Sequence, residues 1–575
     1  METKKFKISN PNFENTIFGL VIGFLSILVN FNIAKNTHAE YRPPILSVSV
    51  DASKLSIDGN GVIESDPRTS EYAINLKAYT SNRTGYTISI NSKTENTALL
   101  NTNPSITTKI SSISTSSELD NFPDNTWGYK LSNNTDYSPI PAISAPANIA
   151  KTTEMTGSSD GDDYEIDLGM KLDNTLKTGY YENKLIISII SNPYQPKAIM
   201  TDGRDFNSKL ISLEDDDHQI KYFKRSHNAP SLNANAVNVE AEDSDYAIKL
   251  WHNLADETVY YYTESEYIYL NEDSSDMFTS CDCANGRLKK ILSIDLSSFN
   301  TENVANMSNM FSNLYSIKTL DVSHFDTKNV IDMSHMFDGA QDLEVLDVSS
   351  FNTEKVEDMS AMFYGLRILC TLNLINFDTK NVTDMHKMFA GMRYLTDLNI
   401  SSFNTGKVTD MSGMFWGLHA LLQIDVSHFN TKEVKDMAYM FCGLEKITHL
   451  NLSNFNTENV VDMDSMFYGM LDLAILDLSN FNTKKVENMV DIFSMHFTDA
   501  EKDKLQTIYV GSDFDTTSLT KIKEPGSYNS GMFASRNKLR GGAGSFLADP
   551  STADKSWLRI DDPTNGRPGY FTRKP

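Results

Sequence analysis

The chain has 575 residues, 40% of them hydrophobic and 22% charged, which excludes a miniprotein, a multi-span membrane protein and a wholly disordered chain. Lysine and arginine number 51 against 76 acidic residues, a formal charge of −25; such a surface repels phosphate backbones, so no nucleic-acid partner is expected. Four cysteines in a chain of this length cannot form a disulfide framework, and stability has to come from packing.

In chain order, Lys4, Lys5 and Lys7 precede an apolar run from Ile17 to Ile33, and the small residues Thr37 and Ala39 follow. That order predicts a secretory signal peptide over 1–39 and an extracellular or cell-surface location. If the signal stays uncleaved, this segment is the expected membrane contact. Residues 40–198 alternate with period two at Leu46, Val48, Val50, at Ile74, Leu76, Ala78, at Tyr86, Ile88, Ile90 and at Tyr164, Ile166, Leu168, with turn residues between the runs. This predicts an all-β sandwich, with Trp127 and Tyr129 filling its core. Residues 199–250 are polar, include the acidic run Glu214 to Asp217, and read as a connector.

The most informative stretch is 291–494. Phe299, Phe325, Phe351, Phe377, Phe403, Phe429, Phe455 and Phe481 are each 26 residues apart, eight units without an insertion. A period of this length predicts stacked units that share one core. In the unit opening at Leu343, Leu346 and Val348 follow the LxxLxL pattern of a leucine-rich-repeat strand, pointing inward while Val345, Asp347 and Ser349 point outward. Its second half places Val356, Met359, Met362 and Phe363 at helical spacing, and Gly365 stands where a helix would end. The spacing therefore predicts strand, corner and short helix in every unit, an α/β leucine-rich-repeat solenoid. Seventeen of the 24 methionines fall in this region and read as core filler. A threonine column (Thr301, Thr327, Thr353 and onward) is placed to bond corner backbone.

The units FNTENVANMSNMF, FDTKNVIDMSHMF and FNTENVVDMDSMF resemble the 26-residue repeat of BspA-like leucine-rich-repeat bacterial surface proteins. The resemblance extends over roughly 251–575, with a lead-in at 251–290 similar to the family's N-terminal cap and a repeat-like segment and cap at 495–575. It implies an exported adhesin that attaches to proteins or glycans on host cells, extracellular matrix or other bacteria.

Two outward columns are candidates for such contacts. One is acidic or amide throughout and includes Asp321, Asp347 and Asp425; a second varies as Val345, Thr371, Asp397, Gln423 and His449, and would set specificity. On the opposite half of the unit, Tyr364, Trp416 and Tyr468 alternate with small residues and form a candidate aromatic strip. His335, His386, His419 and His449 fall in different columns, so the spacing gives no metal-ligand set. Catalysis needs unlike groups converging on one point, and no nucleophile, paired-carboxylate or phosphate-loop motif stands out, so neither an enzyme nor a cofactor is expected. Two alternatives are a passive structural spacer of the envelope and a glycan-active enzyme in the N-terminal module.

Overall fold

The computed structural model describes residues 45–50, 68–157, 160–177, 179–280, 287–522 and 531–574. The segment 1–39, read as a signal peptide, lies outside them. The chain divides into two compact units, one ending at Pro196 and the other starting at Lys197.

The first unit consists of β1 (Leu46–Val50), β2 (Arg68–Thr80), β3 (Tyr86–Ser92), β4 (Leu99–Asn101), β5 (Lys109–Ser112), β6 (Thr126–Leu131), β7 (Ala147–Lys151), β8 (Asp162–Leu172), β9 (Tyr181–Glu182) and β10 (Leu185–Ser191). They form a seven-stranded sheet in the order β1-β2-β8-β6-β5-β4-β9 and a three-stranded sheet in the order β10-β3-β7. Alternation in β2 buries Ile74, Leu76 and Ala78, and the antiparallel register sets Ile74 opposite Ile166 of β8. These residues share one apolar cluster with Tyr86, Ile88 and Ile90 of the smaller sheet. Trp127 lies in that cluster, 2% exposed, and its indole N–H donates to the Thr97 carbonyl at 3.0 Å, so its polar atom is satisfied inside the core. Gly128 and Gly169 face each other in register on β6 and β8. A Cβ on Gly169 would stand 2.5 Å from the Tyr137 ring, which fills the space between the sheet and Phe122.

The second unit opens with β11 (Ala198–Ile199), α1 (Gly203–Ile211), β12 (Tyr222–Arg225), β13 (Val237–Asn238), β14 (Lys249–Asn253), β15 (Thr258–Tyr262), β16 (Ile268–Tyr269), β17 (Ser293–Ile294) and β18 (Phe299–Asn300). Residues 199–250, read as a connector, fold into this unit: Phe206, Leu210, Ile220 and Phe223 are fully buried in its core. Phe206 meets Phe223 and Phe278 edge-on, so α1 covers the first end of the repeat core. Parallel pairing of β11 with β16 and of β16 with β18 leads into the repeats.

Within the repeats, equivalent residues pair in parallel, as in the series Asp332, Asp358, Asp384, Asp410, Asp436, Asp462 and Asn488. Each 26-residue unit is therefore one rung, about 4.8 Å from the next. The α/β leucine-rich-repeat solenoid is not what forms. Of the two halves of the unit, the one predicted to be helical makes most of the ladder, and α1 is the only α-helix among the described residues. The N–H groups of Met333, His335, Phe337 and Gly339 donate to carbonyls of Asp358, Ser360, Met362 and Tyr364 in the following rung at 2.8–3.1 Å. Alternate residues close tight turns within the rung, as Met336 does on Met333 and Asp338 on His335. Backbone donors used between rungs cannot make the i→i−4 bonds of a helix. The winding also requires positive φ at the second x of MxxM: +55° at His335, +49° at Ala361, +52° at Lys387 and +61° at Gly413. An α-helix has no such residue. The half matching LxxLxL is mostly irregular in the backbone, with β17, the bridge Thr319–Val345 and the strand β19 (Ile475–Leu478) among its regular pieces.

Side chains extend this ladder. Thr353, 1% exposed, donates its hydroxyl to the Asp378 carbonyl at 3.0 Å and accepts from the Asp378 N–H at 2.8 Å, and every threonine of its column from Thr301 to Thr483 makes the corresponding donor contact. The residue after each second methionine, and after Ile492 in the last unit, builds a ring stack from Phe311 through Phe337, Phe363, Phe389, Phe415, Phe441 and Phe467 to Phe493, with centroids 5.9–6.1 Å apart and planes within 15°. The methionines beside it are completely buried, in keeping with their reading as filler. Beyond the last 26-residue unit the rungs lengthen. Lys521 pairs with Asn488, Phe533 continues the ring stack, and β20 (Thr507–Val510) and β21 (Phe571–Arg573) continue β19 in parallel. Arg536 is buried at this end, 2.8 Å from Asp503, and donates to the carbonyls of Met470, Phe493 and Phe467.

Replacing Thr353 by valine keeps its shape but leaves the Asp378 N–H and carbonyl without their partner; thermal or urea unfolding should show a loss of about 1–3 kcal/mol. Replacing Arg536 by methionine strands a buried carboxylate and should cost about 3–5 kcal/mol, whereas Arg536→Met with Asp503→Leu should recover part of that loss in the same measurement.

Candidate functional site

The variable column stands where an external partner would meet it. Val345, Thr371, Asp397, Gln423 and His449 are all exposed, Val345 at 63%, and the Thr319–Val345 bridge shows that members of this column lie on adjacent rungs. Asp321, Asp347 and Asp425 are also exposed, but each has a structural task. Their Oδ1 atoms accept the N–H of Ser323, Ser349 and Ser427 at 2.9–3.1 Å, closing a small turn. Hydrogen bonds from these serines hold all three carboxyls below the usual aspartate range, so they stay ionised. In the same column Asp477 receives the Lys574 ammonium on Oδ2 at 2.6 Å, while its Oδ1 still accepts the Ser479 N–H at 3.0 Å. The turn and a cation therefore occupy different oxygens of one carboxylate.

The aromatic strip is less continuous. Tyr364 and Tyr468 are half-buried and Trp416 is 39% exposed, and the Trp416 ring meets Tyr439 of the following rung at 6.1 Å. Ala390 and Cys442 occupy the intervening rungs and are covered. Burial pushes the Cys442 thiol up to about 12.

A further group is absent from the sequence reading. The residue before each first methionine is aspartate in six successive rungs: Asp332, Asp358, Asp384, Asp410, Asp436 and Asp462. Each Oδ1 accepts the N–H two residues on, at 2.8–2.9 Å, which stacks partly buried like charges at rung spacing. Burial, reinforced by Asp410, Asp462 and Asp464, raises the Asp436 carboxyl to about 6. At Asp384 the balance reverses. Burial works against ionisation there, but the ring and backbone N–H of His386 hold the carboxyl below its usual range. The bond to Asp384 in turn raises the His386 pKa.

His386 replaces the serine found two residues after the aspartate at Ser334, Ser360 and Ser412. Its Nδ1 lies 2.9 Å from Asp384 Oδ1, and ligand atoms of Asp384, His386 and Asp410 all fall within 4.8 Å of one another. The His335 ring stands 6.3 Å from that of His386, across the rung occupied by the small Ala361, and its Nδ1 is 2.8 Å from Asp338 Oδ2. The winding thus gathers histidines and aspartates that occupy separate columns of the sequence. The repeated aspartate and the single Ser-to-His departure were its visible signals.

A shallow depression of about 420 Å³ lies nearby in sequence, lined by Glu445, Asp472, Lys502, Lys504 and Lys538 among others. Three of its lysines are engaged: Lys504 pairs with Asp472 at 2.8 Å, Lys502 with Asp499 at 2.8 Å, and Lys538 donates to a backbone carbonyl.

Residues 272–398, 366–449 and 392–506 match the family described as "Mycoplasma protein of unknown function, DUF285", a span covering under half of the chain. Neither a curated protein nor a solved structure matches. The family found over the repeats is therefore not the BspA-like leucine-rich-repeat family that the motifs resemble, and that identification is corrected together with the solenoid fold it implied.

The two described cysteines should separate by reactivity. At pH 7.5 maleimide should modify the exposed Cys370 rapidly and the buried, protonated Cys442 only after denaturant is added, as read by peptide mass spectrometry.

Proposed function

We propose that this chain is a noncatalytic attachment protein, exported by its N-terminal segment, that engages a protein or glycan partner bearing basic groups through shallow contacts along the exposed repeat columns. One observation carries the reading: Lys574 on Asp477 shows the acidic column taking an ammonium group without giving up its turn. Asp321, Asp347 and Asp425 repeat the same turn. The variable column beside them offers apolar, polar, acidic and imidazole side chains in fixed order, which lets such a surface distinguish partners. A chain of formal charge −25 also steers basic surfaces toward it. With the leucine-rich-repeat identification removed, this reading rests on the rung geometry and not on kinship.

The test is saturable binding of the purified full chain to matrix proteins, glycan panels, host cells and neighbouring bacteria. Val345→Ala, Asp397→Ala, Gln423→Ala and His449→Ala combined should weaken binding about tenfold or more, the loss of a few rim and core contacts. Asp321→Asn, Asp347→Asn and Asp425→Asn combined should flatten its dependence on salt. Saturable binding unchanged in both variants would refute recognition by this surface. Failure of the full chain to bind any of these partners would favour a spacer.

A further inference from the structure

We propose that Asp384, His386 and Asp410 form a site for a divalent transition-metal ion, with His335 as its fourth ligand. Three donor atoms already lie within 4.8 Å of one another, close enough for side-chain rotations to bring each to about 2.0–2.2 Å from a common centre. Their side chains are held by the ladder: Asp384 and Asp410 are fixed through the N–H bonds of His386 and Ser412, and the Asp384–Asp410 bridge sets them on adjacent rungs. The second imidazole is an independent observation. The His335 ring stands outside that trio, 6.3 Å from the His386 ring, and its Nδ1 is 2.8 Å from Asp338 Oδ2. If that nitrogen bears the proton, Nε2 is left as a free donor, the carboxylate–histidine arrangement that orients metal-ligating imidazoles.

The chemistry of the set selects the class of ion. Two carboxylates balance a 2+ charge, and two imidazole nitrogens favour zinc-like ions over magnesium or calcium, which take oxygen ligands. The location also removes an electrostatic cost. Asp358, Asp384, Asp410 and Asp436 stack on consecutive rungs, and a cation between Asp384 and Asp410 relieves repulsion that the turn geometry otherwise imposes. The side chains of Asp384 and His386 are about one-third exposed, so an ion can reach them from solvent.

The proposal stands apart from partner binding and is tested without it. Full chain stripped with chelator is titrated with Zn(II) in excess Mg(II), followed by calorimetry, and with Co(II), followed by visible absorption. His386→Ser installs the residue that neighbouring rungs hold at this place, so folding is preserved by design. It should weaken Zn(II) binding about 100-fold and remove the Co(II) bands, in line with loss of a metal ligand. Asp462→Asn, in the same column but outside the set, should bind as the parent does. His335→Ala, which copies Ala361 of the next rung, should weaken binding about tenfold and alter the Co(II) spectrum. No saturable binding by the parent, equal binding by His386→Ser, or equal loss in Asp462→Asn would overturn the site. An unchanged Co(II) spectrum in His335→Ala would overturn its place as fourth ligand.

Discussion

Everything in the repeat unit follows from one requirement, that the N–H groups of Met333, His335, Phe337 and Gly339 and their equivalents meet carbonyls of the next rung. A rung that satisfies this demand cannot shift by one residue or tighten into a helix without orphaning several buried polar groups, each worth about 1–3 kcal/mol. The constraint aligns every column with itself, and it holds where the rungs lengthen, as Phe493 donates to the Met532 carbonyl. Aligned columns then add their own terms: threonine hydroxyls that donate and accept between rungs, and phenylalanine rings about 6 Å apart in near-parallel stacks. Apolar burial supplies the drive, but the ladder sets the geometry into which the methionines and phenylalanines are packed.

The same alignment creates a difficulty for charged columns. The aspartate preceding each methionine is needed as the acceptor that turns the chain, so six carboxylates are brought into register whether or not their charges agree. Burial first and the neighbouring carboxylates second raise the Asp436 pKa, whereas Asp384 is held ionised by His386. The exposed aspartates of the other half escape because water screens them and serine hydroxyls or N–H groups bond to them. A ladder of one residue type is thus tolerated in one column and strained in another, according to burial and to the hydrogen bonds each carboxylate receives.

The repeat period, the inward positions and the filler role of the methionines were legible in the sequence because they depend on spacing and burial. The path of the backbone between those positions was not. Met333 and Met336 sit three apart, a spacing common to one face of a helix and to this turn-by-turn winding, so periodicity could not separate them. Gly413 and Asn309, both at the positive-φ position, were the available signal against a helix, and Ala361, Lys387 and Tyr439 in the same column hid it. The connector reading of 199–250 failed to register Phe206 and Phe223 because their partners, Phe278 and Tyr261, come from elsewhere in the chain. The Asp384–His386–Asp410 group was harder to read for a related reason: its two aspartates share a column, but His386 stands in another, and only the winding makes them neighbours.

In a chain so regular, function has to be sought where the pattern is broken. Consensus residues are committed to the ladder: Thr353 to the next rung, Asp347 to Ser349, Gly365 to a positive φ of 71°. A side chain so committed can meet a partner only with what the ladder leaves over, as Asp477 does through its second oxygen. The departures have no such obligation. Ile375, 59% exposed, stands where its neighbours have serine, yet its N–H still reaches Asn373, so the turn closes at 3.3 Å while an apolar side chain is presented to solvent. His386 likewise preserves the backbone contact of the serine it replaces and adds a ring that the ladder does not require. Both changes leave the winding intact and alter only what it displays. A regular repeat can therefore acquire a local chemical site by one substitution, because the aspartates of its own and the next rung are already held in place.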